Sequence, residues 1–174
     1  RGATWALRDT LATPPFGPGA ISFDPRHRGH VYAPSRQSKY CEQPAIVRST
    51  DGGATWREWS RQPCHVVELL FARDGALFAR AEFGFTGLWA LYRSSDDGET
   101  WTILPDEEWP GRVRNAALGA RAGQIYVLVS DWTRPGGSVV GRSTDNGASW
   151  TTLTTTADWI SSIAVDPREP VTLY

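Results

Sequence analysis

The chain has 174 residues, of which 18 are Lys or Arg and 19 are Asp or Glu, so its formal net charge is −1. This balance leaves no basic field to indicate nucleic acid and no polybasic run to indicate an anionic membrane surface. No apolar stretch reaches the ~18 residues that predict a transmembrane helix. Gly (17) and Pro (12) are frequent, which favours many short strands over long helices. We expect no cofactor, no nucleic-acid partner and no membrane insertion.

One octapeptide recurs along the chain. Residues 49–56 read STDGGATW, residues 94–101 read SSDDGETW and residues 143–150 read STDNGASW, while GATW at residues 2–5 matches the end of a fourth copy. The tryptophans that end these copies lie 51, 45 and 49 residues apart. This period is too long for leucine-rich or ankyrin repeats and suits a four-stranded propeller blade.

A strand–turn–strand pattern also recurs, at a different position within the repeat from the octapeptide. Residues 21–32 and residues 163–174 each place Asp-Pro between two short apolar runs. In residues 66–81, apolar and other residues alternate on both sides of Asp74-Gly75, which is a strong hairpin signal. Residues 122–129 begin with Ala-Gly and continue as a predominantly apolar strand. Each repeat therefore contains two strands joined by a hairpin, a loop, a third strand, the octapeptide and a fourth strand.

These repeats predict an all-β fold, a β-propeller of four-stranded antiparallel blades, with no helix longer than about two turns. We expect residues 1–174 to form one propeller segment of a larger ring with six to eight blades. Complete blades are predicted at about residues 20–60, 64–104 and 111–155, and parts of two flanking blades at residues 1–8 and 160–174.

The octapeptide itself predicts a tight turn between strands three and four. Its glycine suits a backbone with φ > 0, its aspartate can accept hydrogen bonds from turn N–H groups, and its tryptophan can cap the turn. The residues in these structural roles are Asp51, Gly53, Trp56, Asp96, Gly98, Trp101, Asp145, Gly147 and Trp150.

A calcium loop is the alternative interpretation of residues 96–99, which read DDGE. A calcium site needs six to eight oxygen ligands. The other copies have Gly52 or Asn146 where this copy has Asp97, so the second carboxylate is not part of the repeated pattern. We therefore favour the structural role and expect no metal there or elsewhere.

The octapeptides resemble the Asp box, S-x-D-x-G-x-T-W, also called the bacterial neuraminidase repeat (BNR), and the Asp-Pro strand pairs resemble the same superfamily. The resemblance covers nearly the whole chain and implies a β-propeller whose boxes lie at the blade periphery, away from the substrate face. The superfamily includes sialidases, xyloglucanases, sortilin-type receptors, photosystem II assembly factors and many secreted bacterial proteins. Such a fold does not by itself assign an activity.

A sialidase would carry an Arg-Ile-Pro motif, which this chain lacks. Arg114 is a position at which a second arginine of a sialidase site could stand. Catalysis would also need a Tyr nucleophile with a Glu partner and an acid/base Asp. Tyr40, Glu82 and Asp131 have these residue types and lie on predicted loops, but no motif connects them.

The loops between strands two and three, and between successive blades, share one face of a propeller. In this chain they place aromatic residues beside arginines and carboxylates, a combination that suits sugar or peptide recognition. The alternative is that Trp109, Trp132 and Trp159 fill gaps between blades. The predicted ligand-binding residues are Arg36, Tyr40, Trp109, Arg112, Arg114, Trp132, Arg134 and Trp159.

Two cysteines and three histidines remain. Cys41 and Cys64 form no zinc motif, and we expect them to form a disulfide bond if the protein is exported; two unpaired thiols are the alternative. His27, His30 and His65 do not cluster in sequence, and we interpret them as surface residues.

Together these features favour a non-catalytic ligand-binding or scaffold propeller that recognises carbohydrate or protein, as part of a larger exported bacterial protein in an extracellular or periplasmic location. The alternatives are a fragment of a sialidase-like glycoside hydrolase and an assembly factor for a membrane complex. Both ends of the chain interrupt a predicted blade, so we expect the remaining blades of the same protein, or a second copy, to cover the open flanks.

Overall fold

The computed structural model describes residues 20–35, 45–83, 87–105, 112–131, 133, 135–166 and 172–174. In these ranges every regular element is a β-strand, and no helix long and apolar enough to cross a bilayer is found there. The strands are β1 (Ser22–Phe23), β2 (Val31–Pro34), β3 (Ile46–Ser49), β4 (Arg57–Ser60), β5 (Val66–Phe71), β6 (Leu77–Phe83), β7 (Leu88–Ser94), β8 (Thr102–Ile103), β9 (Val113–Leu118), β10 (Ile125–Asp131), β11 (Gly137–Ser143) and β12 (Thr151–Thr156).

The twelve strands form three four-stranded antiparallel sheets, β1–β4, β5–β8 and β9–β12, each with its strands in chain order. Because the strands alternate in direction, the connections from first to second and from third to fourth strand lie at one edge of each sheet, which we call the turn edge. The connections from second to third strand lie at the opposite edge, the loop edge. The predicted all-β architecture of antiparallel four-stranded sheets is confirmed.

The sheets pack face to face, and the apolar core lies between them. Successive residues of a strand point to opposite faces, so β6 contributes to two interfaces. Leu77 and Ala79 pack against the first sheet with Tyr32 and Ile46, whereas Phe78 packs against the third sheet with Val127. β10 is buried on both faces over IYVLV, as expected for a strand that has no solvent-facing side.

The fourth strands of the second and third sheets are short or exposed. β8 has only two residues, and β12 is exposed along nearly its whole length. Beyond the third sheet, Val165 pairs with Leu173, and Ala164 and Tyr174 exchange two backbone hydrogen bonds of 2.9 and 3.0 Å. This pairing is the predicted Asp-Pro hairpin in a short form.

Cys64 takes part in a disulfide bond. The sequence contains one other cysteine, Cys41, which lies outside the described residues. The incomplete octapeptide copy at residues 2–5 also lies outside them.

Candidate functional site

The turn edge carries the same hydrogen-bond network in every sheet. In the first octapeptide the Gly53 N–H donates to Ser49 Oγ (2.8 Å), the Ser49 hydroxyl donates to Asp51 (2.7 Å), and the Thr55 N–H donates to Asp51 Oδ1 (2.8 Å). The corresponding N–H groups of Thr100 and Ser149 donate to Asp96 and Asp145, each at 2.9 Å. The predicted hydrogen bonds from turn N–H groups to the three aspartates are confirmed.

These hydrogen bonds stabilise the ionised aspartates. The side-chain and backbone donors of Thr100 hold the pKa of Asp96 at about 2, and those of Ser149 hold the pKa of Asp145 at about 2. The same pair of donors from Thr55 holds the pKa of Asp51 well below its usual range. The carboxylates therefore act as fixed acceptors of their own turns.

The octapeptides also join neighbouring sheets. The predicted positive φ is present at Gly53 (97°), Gly98 (84°) and Gly147 (85°). A Cβ atom on Gly98 would lie 2.6 Å from the Trp59 ring of the first sheet, and one on Gly147 would lie 2.4 Å from Leu104, which follows β8. Gly98 and Gly147 thus lie directly against the end of the preceding sheet. The last residues of the second and third octapeptides, Trp101 and Trp150, pack against the cores at those same two interfaces.

The fourth position of the octapeptide, which differs in every copy, makes an inter-sheet contact in the second and third copies. The Arg26 guanidinium of the first sheet donates to Asp97 (3.2 Å), and the Asn146 amide of the third sheet donates to Asp74 in the second (3.2 Å). Asp97 and Asn146 share a positive φ, of 57° and 60°. The carboxylate that suggested a calcium loop is therefore paired with an arginine of the neighbouring sheet, which supports the structural role.

The loop edge differs from sheet to sheet. In the second sheet, His65 Nδ1 and Glu82 Oε2 are joined by a short hydrogen bond, and Glu82 Oε1 accepts the Gly87 N–H at 2.6 Å. Burial raises the pKa of Glu82, but the hydrogen bonds from His65 and Gly87 and the charge of Arg112 outweigh it, so the pKa is lowered. Glu82 therefore stays ionised and closes the loop that follows its strand.

An aromatic residue completes this group. The His65 ring lies 5.2 Å from the Trp89 ring, and the Arg80 guanidinium carbon lies 5.6 Å from the Trp89 ring centroid. Arg80 is in turn paired with Glu68, at 3.0 Å between Nε and Oε2. The sequence pattern indicated Glu82 as a candidate but did not indicate His65 as its partner. The two are 17 residues apart and meet only because β5 and β6 pair across a register shift between Val66 and Glu68.

In the third sheet, Asp131 stands at the end of β10, as Glu82 does near the end of β6. It is buried and accepts hydrogen bonds from the Thr133 N–H (2.9 Å) and the Thr133 hydroxyl (2.5 Å). Both proposed catalytic carboxylates that are described thus bond to the loops that follow their own strands. Tyr40, the third member of that hypothesis, lies outside the described residues.

The loop edge of the third sheet carries a stacked arginine–tryptophan pair. The Arg114 guanidinium carbon of β9 lies 3.2 Å from the centroid of the Trp159 ring, and Trp159 is 64% exposed. Arg114 Nη1 is buried and has no hydrogen-bond partner among the described residues. Burial lowers the pKa of Arg114. The pair presents an exposed apolar ring that is stacked on a half-buried guanidinium.

Two hydrogen-bond networks fix the segment that carries Trp159. The Ser138 hydroxyl donates to the Asp158 carbonyl and accepts the Ile160 N–H, both at 3.0 Å. The Ile163 N–H donates to the Asn115 side chain at 3.0 Å. Trp159 is therefore held on both sides by β11 and β9. Of the other predicted ligand-binding residues, Arg112 lies beside Gly87, and those outside the described residues are Arg36, Tyr40, Trp109, Trp132 and Arg134.

His27 is exposed and His30 is half-buried, but the structure brings these two histidines together. His27 and His30 stack with ring centroids 4.9 Å apart, and His27 Nδ1 lies 2.8 Å from Asp24 Oδ2. The signal was present in the sequence as a histidine at the third and sixth position after Asp24 within one turn. It was missed because we treated the Asp-Pro turn as a generic hairpin.

No family model matches the chain, and no curated protein matches it by sequence. Solved structures do match. A GH74 enzyme from Niastella koreensis aligns with a TM-score of 0.64 and 18% identity over 86% of this chain, and the GH74 xyloglucanase from Xanthomonas campestris with 0.67 and 16% over 88%. A gluconolactonase from Xanthomonas campestris aligns with 0.54 and 17% over 79%.

These structures are β-propellers. The chain is therefore a partial β-propeller of three four-stranded sheets. It spans 26% of the length of each GH74 enzyme and 50% of the gluconolactonase. At this level of identity the likeness concerns the fold alone.

Proposed function

We propose that the loop edge binds carbohydrate and that this chain is a non-catalytic recognition part of an exported propeller protein built from Asp-box repeats. The observation that carries the proposal is the Arg114–Trp159 pair. An exposed indole offers a flat apolar surface to the C–H face of a sugar ring, and the Arg114 guanidinium stacked on the indole fixes the ring and adds positive charge beside it. The disulfide bond of Cys64 is in keeping with an oxidising compartment.

The carboxylates argue for recognition rather than hydrolysis. A glycosidase acid needs a raised pKa so that it carries a proton near neutral pH. The pKa of Glu82 is lowered instead. Asp131 is buried, and Thr133 provides two of its hydrogen bonds. Loop closure accounts for the Gly87 hydrogen bond of Glu82 and for the Thr133 hydrogen bonds of Asp131.

Binding can be tested with immobilised glycans followed by calorimetry on the best hit. Trp159→Ala and Arg114→Gln should each weaken binding at least tenfold, because each removes one half of the pair. Phe23→Ala is the matched control, since Phe23 is another exposed aromatic residue (69%) at the turn edge of the first sheet. Equal binding by wild type and Trp159→Ala would rule out this site.

A glycoside hydrolase is the second candidate, and the His65–Glu82 pair is the observation that favours it. The same preparations should be incubated with xyloglucan oligosaccharides and with a chromogenic sialoside. If the wild type turns over a substrate and Glu82→Gln abolishes this turnover while melting like wild type, the protein is a glycoside hydrolase and the non-catalytic proposal is wrong. Turnover that Glu82→Gln leaves unchanged would exclude Glu82 as the catalytic carboxylate.

A further inference from the structure

A polar cluster at the turn edge is separate from the proposed sugar site. Asp24 is buried, and its neighbours His27 and His30 stack on one another. One ligand atom can be taken from each of these three side chains so that all three atoms lie within 4.8 Å of one another. His30 Nδ1 is buried and has no hydrogen-bond partner among the described residues, so the cluster contains a nitrogen lone pair or N–H group without a protein partner.

The two histidines are not needed to build the turn. Residues 24–32 read DPRHRGHVY, and residues 166–174 read DPREPVTLY, so the second turn has the same length but Glu169 and Thr172 in place of the histidines. Both turns close in the same way, since the Asp24 N–H donates to the His30 carbonyl at 3.3 Å and the Asp166 N–H donates to the Thr172 carbonyl at 3.2 Å. A structural requirement of the turn therefore does not explain the histidines.

We propose that Asp24, His27 and His30 form a binding site for a divalent transition-metal ion, with Zn²⁺ as the best-suited probe. Two imidazoles and one carboxylate are ligands that Zn²⁺ accepts, and three protein ligands leave a fourth position for water. Zn–N and Zn–O bonds of about 2.0–2.1 Å place the ligands of a tetrahedral site about 3.3 Å apart. The three ligand atoms, which lie within 4.8 Å of one another, must therefore approach each other by no more than about 1.5 Å. His27 can make this movement because its side chain is 54% exposed.

Arg26 limits the affinity of this site. It donates to Asp24 Oδ1 through its backbone N–H (2.8 Å) and its Nε (3.1 Å), and to Oδ2 through Nη2 at 3.2 Å. The guanidinium thus holds the carboxylate in place, but its charge opposes a second cation. Because Arg26 also donates to Asp97, it can keep that contact while Asp24 Oδ2 turns to the metal. We expect a Kd of about 1–100 μM, weaker than a structural four-ligand zinc site.

The test is calorimetric titration of the untagged protein with ZnCl₂ at neutral pH in a buffer that does not bind metals. The wild type should bind one ion. His27→Gln and His30→Thr should each weaken binding at least tenfold, and the latter places in this turn the residue that the second Asp-Pro turn already has. His65→Gln is the matched control, because it removes the third histidine at the opposite edge and should leave the Kd within twofold of wild type.

Imidazole ¹⁵N spectra of the wild type provide a readout that does not depend on the variants folding. Zinc should shift the ring nitrogens of His27 and His30 and leave those of His65 unchanged. The proposal is overturned if the wild type binds no zinc below about 1 mM, if His30→Thr binds as wild type does, or if zinc shifts only His65. If the wild type binds zinc but binds no glycan, only the proposal that the loop edge binds carbohydrate is contradicted.

Discussion

The two edges of the sheets follow different rules. At the turn edge, all three sheets use the same Ser, Asp and Gly positions and nearly the same distances. At the loop edge the described residues of the second and third sheets differ: Glu82 of the second sheet bonds a histidine and a glycine, whereas in the third sheet Asp131 bonds Thr133 and Arg114 stacks on Trp159. The repeated edge holds neighbouring sheets together, so its sequence is constrained. The other edge carries little of that packing, so it can vary and hold a binding site.

The largest effect is expected from Gly98→Ala. Alanine at positive φ costs about 1–2 kcal/mol, and the new Cβ would meet the Trp59 ring at 2.6 Å. That ring is held edge-on against Tyr32, with centroids 4.6 Å apart, so the overlap adds about 1–3 kcal/mol. Gly147→Ala should cost less, because the atom it meets is a terminal methyl of Leu104 that can rotate.

Gly53→Ala is the internal control for this series. It has the same positive φ, and the nearest atom to its Cβ would be on Trp56 at 3.9 Å, an ordinary contact. Urea unfolding should therefore rank the free-energy losses as Gly98→Ala, then Gly147→Ala, then Gly53→Ala. Equal losses in all three would mean that the octapeptides form turns without joining the sheets.

Acid should destabilise the protein mainly by protonating the octapeptide aspartates at the turn edge. The pKa of Asp96 and of Asp145 falls from 3.8 to about 2 on folding. A lowered pKa contributes stability that is fully present above the unfolded value and is lost as the pH falls through the folded value. The melting temperature should therefore fall between about pH 4 and pH 2, and Asp145→Asn should show a smaller fall from a lower starting temperature.

Trp159→Ala is the control for this pH series, because it changes the loop edge and leaves every octapeptide intact. It should keep the full acid dependence of the wild type. An unchanged pH profile in Asp145→Asn would contradict the assignment of the acid dependence to the octapeptide carboxylates.

Glu82→Gln should have a smaller effect on stability. It removes the charge that strengthens the hydrogen bonds from His65 and Gly87 at the loop edge of one sheet, and a hydrogen bond to a charged group contributes about 1.5–3 kcal/mol. Because the Gln amide oxygen can still accept one of these bonds, the free energy of unfolding should fall by about 1–2 kcal/mol, while hydrogen exchange of the Gly87 amide should speed up. Exchange should stay slow at Gly98, whose N–H donates to Ser94 at the turn edge. Faster exchange at both amides would mean that the two edges are not independent.

The sequence predicted the turns and hairpins, because these depend on residues that are close together in the chain. The octapeptide turns, their positive-φ glycines and the D-G hairpin are local, because each is set by residues no more than eight positions apart. Contacts between sheets were not predicted. Arg26 meets Asp97 across 71 residues and Asn146 meets Asp74 across 72, and nothing in a local pattern identifies such partners before the sheets are packed. The contact of His65 with Glu82 was not predicted for the same reason, whereas the cluster of Asp24, His27 and His30 is local and was not recognised.

Trp159→Ala should have the smallest effect on stability and the most informative one on function. The ring is mostly exposed, so its removal exposes little new apolar surface, and the free energy of unfolding should change by no more than about 0.5 kcal/mol. Arg114 would lose its stacking partner, and its guanidinium would become more hydrated. If the loop edge is a recognition surface, glycan binding should fall at least tenfold while the melting temperature stays within about 2 °C of wild type. A large loss of stability would instead mean that Trp159 packs as part of the fold, as the gap-filling interpretation holds. In that case the loop edge of the third sheet would have a structural role, as the turn edge does.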